Sequence, residues 1–106
     1  MSYRDISTVG EASHMTEVEK ILSLYIIRVC REIYEPLPEV FKLSPYVDPR
    51  ANIDKIIKFF NDGGAPVDAT RFFTTCILRR AADLMASDGY GEHVPELLKL
   101  VEVPEK

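Results

Sequence analysis

Two histidines, two cysteines, five glycines and no tryptophan are spread over 106 residues, and each scarcity removes a class of function. A zinc site needs three or four Cys, His or carboxylate ligands that converge, with ligands paired at short spacing. His14 and His93 stand alone, and neither Cys30 nor Cys76 has another Cys or His within two to four residues, so no metal is expected. The glycines build no phosphate loop, because Gly63-Gly64 is not followed by Gly-Lys-Ser/Thr. Asp88-Gly89-Tyr90-Gly91-Glu92 and Asn61-Asp62-Gly63-Gly64 have the residue types of a calcium loop without its alternate spacing. Nucleophilic catalysis needs a Ser or Cys beside a base and an orienting acid. Cys30 falls on an apolar stripe, away from the exposed electropositive setting that activates a thiol. The chain is therefore expected to be non-catalytic and free of cofactors.

Long apolar runs are also missing. None approaches the roughly 20 residues that span a bilayer, and the first residues carry Arg4, Asp5 and Glu11 in place of a signal-peptide core. With two cysteines read as reduced core residues, an intracellular protein, cytoplasmic or nuclear, is expected. Cationic excess is lacking too, since the net charge is −4. Residues 1–19 hold one base against four acids, residues 20–80 ten bases against seven acids, and residues 83–106 two bases against six acids. Acidic ends around a mildly basic centre argue against a nucleic-acid footprint, which shows a clustered basic face. Such a face would have to gather Arg28, Arg31, Lys55, Lys58, Arg71, Arg79 and Arg80 on one side.

What is present is helical pattern. A hydrophobic fraction of 46% in a chain of ordinary domain length provides one core. Thr16 followed by Glu19 is a capping box that starts a helix reaching Tyr34, stopped by Pro36 and Pro38. Residues 38–43 allow one further turn. Asp48-Pro49 pairs a capping carboxylate with proline at the first helical position, starting a helix that runs to about Asn61 and stops at Gly63-Gly64. Its Asp54 and Lys58 are spaced as an i,i+4 ion pair. Asp68 is read as the cap of a third long helix ending near Ser87, with Phe73, Cys76, Ile77, Ala81 and Leu84 as its main stripe, widened by Leu78 and Met85. A short helix from Pro95 to about Val101 closes the domain. No alternating run signals a strand. The expected fold is all-α: a compact bundle of four to five helices with a short N-terminal arm, the arm being residues 1–15 and the domain residues 16–103.

The arm has Tyr3, Ile6 and Val9 at three-residue spacing as its apolar anchors. The triplet Ser13-His14-Met15 resembles a restriction-site junction, which would make Met15 the native start and residues 1–14 an appended tail or ligand segment.

Several residues break the amphipathic pattern. At about 100° per residue, Val18, Leu22, Tyr25, Val29 and Ile33 form the main stripe of the first helix, yet Leu24 and Ile27 project away from it. Phe59 and Phe72 fall on the polar sides of their helices, and Arg80 lands inside an apolar stripe beside Arg79, which is spaced to pair with Asp83. A lone exposed apolar residue needs no explanation, but aromatic residues with arginines are the composition of binding hot spots. Leu24, Ile27, Phe59, Phe72, Arg79 and Arg80 are therefore the candidate partner-binding residues. The expected function is a protein-interaction domain, an adaptor or scaffold, that takes a short peptide or helix in a groove between helices. The partner is another protein or a peptide segment, with residues 1–14 of this chain as one candidate. The alternative is a homodimer that covers the second face of the first helix with its two-fold copy.

Overall fold

The computed structural model describes residues 15–101; Tyr3, Ile6, Val9 and His14 lie outside the described residues, as does the stretch after Val101. Thr16 is the N-cap of helix α1 (Glu17–Ile33): its hydroxyl accepts from the Glu19 amide at 3.0 Å, and the Glu19 carboxylate accepts from the Thr16 amide at 2.9 Å. Tyr34 turns extended ahead of Pro36, and the single turn α2 (Leu37–Phe41) follows. Lys42 then adopts a left-handed φ of 62°, so that the Leu43 amide reaches back to the Pro38 carbonyl at 2.8 Å. Asp48 caps α3 (Pro49–Asp62), which ends where Gly64 takes a φ of +81°.

Helix α4 (Val67–Ser87) starts earlier than its sequence pattern indicates. Its N-cap is Pro66, with a φ of −61° and an extended ψ, and Asp68 sits in the first turn instead of at the cap. Its carboxylate still meets the positive end of the helix dipole there. A 3-10 turn at Gly91–His93 leads into α5 (Val94–Leu98), and a second one (Lys99–Val101) follows. Among the described residues there is no strand, and the architecture is an all-α helical bundle.

Helices α1 and α4 run antiparallel through the middle. Glu32 meets Arg80 at one level and Tyr25 and Arg28 meet Asp88 at another, so numbers rise along one helix as they fall along the other. Helix α4 also packs on α3 and α5. The core between them holds Ile26, Val29 and Cys30 from α1, Ile53 and Ile56 from α3, Ile77, Leu78, Ala81 and Met85 from α4, Leu97 from α5 and Phe41 from α2.

The buried face of α4 keeps Ile77, Leu78, Ala81 and Met85 of the expected one but takes in Thr70 and Thr74 and leaves out Cys76, which is exposed. The two threonines tolerate burial because their hydroxyls donate to the Pro66 and Thr70 carbonyls one turn back, at 3.2 and 2.8 Å. Cys76, expected in the core, is correspondingly carried to the outer side with Phe72. Ile33, the last member of the expected α1 stripe, is exposed where the helix ends. Lys58 pairs with Asp62 at 3.1 Å, one turn beyond the expected partner Asp54.

A buried polar network sets how α1 is rotated about its axis. Asn52, fully buried on α3, donates to the Ser23 hydroxyl at 3.2 Å and to the Ser44 carbonyl at 2.9 Å, and accepts from the Ser44 amide at 3.1 Å. The Ser23 hydroxyl in turn donates to the Val47 carbonyl at 2.9 Å. The loop from Ser44 to Val47 is thereby tied to both helices, with Ser23 facing inward and its neighbour Leu24 outward.

Candidate functional site

On α1, Ile21, Leu24, Tyr25 and Arg28 recur at i, i+3, i+4 and i+7 and so share a face. Tyr90, from the connection between α4 and α5, stands opposite them. These five side chains line a cleft of about 280 Å³. That volume is below the several hundred cubic ångströms of drug-sized ligand sites and suits one or two amino-acid side chains. Ile21 and Leu24 are its apolar residues, with Leu24 53% exposed.

The polar wall is held in place from behind. Asp88 caps the C-terminus of α4, where the helix dipole opposes a negative charge. Two groups from α1 offset this: the Tyr25 hydroxyl donates to Asp88 Oδ2, and Arg28 Nη1 donates to the same oxygen at 3.2 Å. The tyrosine hydrogen bond, followed by that of Arg28, holds the Asp88 carboxyl below the usual aspartate range. The same bond, with burial, pushes the Tyr25 phenol above its ordinary value. The Arg28 guanidinium lies over the Tyr25 ring, 5.4 Å from its centroid. Tyr25 meets Tyr90 edge to face at 6.0 Å, and Tyr90 stacks on His93 at 6.4 Å, whose Nε2 is 3.4 Å from Glu92.

The tyrosine, aspartate and arginine hold one another in place through Asp88 Oδ2. Arg28 keeps further N–H donors, because a guanidinium has five and a single one, from Nη1, is engaged by Asp88. Among the described residues no three His, Cys, Asp or Glu side chains converge to hold a metal ion.

The structure places the six sequence-derived candidates at different sites. Leu24 lines the cleft. Ile27, expected to project outward, is buried: it lies one helical turn beyond Ser23, on the side covered by the Ser44–Val47 loop. Phe59 belongs to an aromatic cluster, edge to face with Phe41 at 5.2 Å and Phe60 at 5.6 Å, and Phe60 continues it to Phe73 at 4.9 Å. Phe72 is 71% exposed, but Asp88 marks the level of the cleft and the path along α4 between the two is about 24 Å at the helical rise. Arg80 is not inside an apolar stripe: its Nε and Nη2 grip both oxygens of Glu32 at 3.0 and 3.1 Å, at the solvent edge of the α1–α4 contact. Arg79 is exposed and forms no ion pair with Asp83 among the described residues. Leu24 and Phe72 therefore do not share a groove.

Tyr25, Asp88 and Tyr90 were not among the residues that the sequence singled out for binding, and Arg28 entered only as one cation of a possible nucleic-acid face. Tyr25 sits on the core stripe and Tyr90 between two glycines of a turn, and what joins them is a contact between ends of the chain more than sixty residues apart. Comparison with family models, with curated proteins and with solved structures finds no match to this chain.

Proposed function

We propose that this chain is a non-catalytic protein-binding module whose docking site is the cleft on α1. The observation that supports this best is the cleft itself: two apolar side chains, Ile21 and Leu24, beside two tyrosines and an arginine. Tyrosine and arginine are the residues enriched where binding energy concentrates. Arg28 is fixed by Asp88 and the Tyr25 ring, so little side-chain entropy remains to be lost on binding. In this reading an apolar side chain of a partner segment enters beside Leu24, while backbone carbonyls or a carboxylate take the free donors of Arg28. Phe59, Phe72, Arg79 and Arg80 stand outside the docking site.

Selection of a random peptide library on the immobilised full chain tests this. Peptides should be enriched that bind the wild type and lose binding to Leu24→Asp, a substitution that an exposed position accommodates without unfolding. Enriched peptides that bind Leu24→Asp as well as wild type would refute the assignment.

A further inference from the structure

The cleft on α1 lies close to where the chain enters the helix. Glu17, the first residue of α1, and Ile21, Leu24 and Arg28 of the cleft recur at i, i+4, i+7 and i+11, so one side of the helix runs from its start into the cleft. From Thr16 to Leu24 is about 12 Å at the helical rise, and the surface of a helix with its side chains stands about 5–6 Å from the axis. A segment joined to Thr16 therefore has to cover about 13 Å to reach Leu24. Thr16 itself is extended, with a φ of −76° and a ψ of 166°, so the chain departs from the helix path there. Residues 1–14, outside the described residues, carry apolar side chains within that reach. Ile6 and Val9 precede Thr16 by ten and seven residues. A free chain of those lengths spans about 13–19 Å on average, which matches the distance. The intervening Gly10-Glu11-Ala12-Ser13-His14 adds no large apolar residue. Tyr3, Ile6 and Val9 share one side in a helix and in a polyproline-like segment alike, since both bring residues three apart together. The other end of the chain is less suited: residues 102–106 hold Val103 as their one large apolar residue besides proline, and they follow a turn packed on α3, α4 and α5.

Resting on the reading of the cleft as a docking site, we propose that residues 1–14 occupy it in cis, as an internal ligand that an outside partner must displace. Ile6 and Val9 seat beside Ile21 and Leu24, in a cleft whose volume suits one or two side chains. The tether holds the segment at an effective concentration of about 1 mM. With a Kd of about 0.1 mM for the segment alone, any competitor binds about tenfold more weakly than to an empty cleft. The arm thereby sets a threshold that weak partners fail to pass.

The experiment uses the full chain, isotope-labelled. A nitroxide on the Ser2→Cys, Cys76→Ser variant, in which Cys30 stays buried and unlabelled, should broaden the amides of Ile21, Leu24 and Tyr90 and spare that of Phe72. Dilution should leave the broadening unchanged, and Ile6→Asp with Val9→Asp, or Leu24→Asp, should abolish it. A synthetic peptide of residues 1–14 should bind the Ile6→Asp, Val9→Asp variant about tenfold more tightly than the wild type. Equal affinity for the two, or broadening that survives both sets of substitutions, would overturn the inference. So would broadening that persists when the nitroxide and the isotope label are on different chains, which would make a second copy the occupant. If the peptide moves no cleft amide in either protein while library peptides still bind through Leu24, the inference falls and the cleft stands. If neither kind of peptide depends on Leu24, both fall.

Discussion

Replacing Asn52 by alanine is the sharpest test of how this fold holds its α1 face in place. The Asn52 side chain is fully buried and serves three hydrogen bonds, two as donor and one as acceptor. Removing it strands the Ser44 amide, leaves the Ser44 carbonyl with the long bond from the Val47 amide at 3.5 Å, and takes away a donor to Ser23, while the Ser23 hydroxyl keeps its bond to Val47. A stranded polar group costs about 1–3 kcal/mol when buried. Ser44 is only half-buried, so its two groups fall at the low end, and the vacated side-chain volume adds to the loss. About 3 kcal/mol is expected, a large part of the 5–15 kcal/mol typical of a domain. At roughly 4–8 °C per kcal/mol for a domain near this size, the melting temperature should drop by more than about 10 °C. Urea unfolding followed by circular dichroism measures this. Ser23→Ala should cost less, and the double variant less than the sum, because both residues act in one network. A loss under about 0.5 kcal/mol for Asn52→Ala would show that water replaces the amide freely and that the network does not set the rotation of α1.

Three further outcomes are expected. Gly63 and Gly64 should respond with opposite signs: alanine at Gly63, where φ is −86° and the nearest atoms to a new Cβ are carbonyls at 3.6 Å, should stabilise by about 0.4–1 kcal/mol, whereas alanine at Gly64, where φ is +81°, should destabilise by about 1 kcal/mol in the same urea titration. A chromogenic disulfide reagent should titrate one thiol in the native protein, Cys76, because burial pushes the Cys30 thiol up to about 12, and two after unfolding; rapid native reaction of Cys30 would contradict its burial. Asp88 and Glu32 both have carboxyls depressed in the folded state, chiefly by hydrogen bonds from Tyr25 and Arg80 respectively, so their contribution is complete above the unfolded carboxylate pKa of about 4 and is lost as the pH falls through the lower folded values. Stability should therefore decline between roughly pH 5 and pH 2, and Asp88→Asn with Glu32→Gln should flatten that slope; an unchanged slope would mean that these bonds do not persist in solution.

The sequence alone determined the helices. The Thr16–Glu19 box, the Asp48-Pro49 start, the glycines after Asn61 and after Asp88, and the prolines after Tyr34 are signals read within about one helical turn, and the ends they predict match the structure to a residue or so. The missed start of α4 was also local: a proline with extended ψ can precede a helix without a capping side chain. The faces were a different matter. Tertiary structure alone decided that Ile27 is covered while Leu24 is not, that Cys76 points out while Thr74 points in, and that Tyr90 closes a cleft over Ile21 and Leu24. Each choice depends on a contact between distant segments, such as Ser23 with Asn52 or Tyr25 with Asp88. A helix with apolar residues on more than one side leaves open which of them are covered, and the segments packed on it decide: Ile27 lies under the Ser44–Val47 loop tied to Ser23, while Leu24 is left 53% exposed.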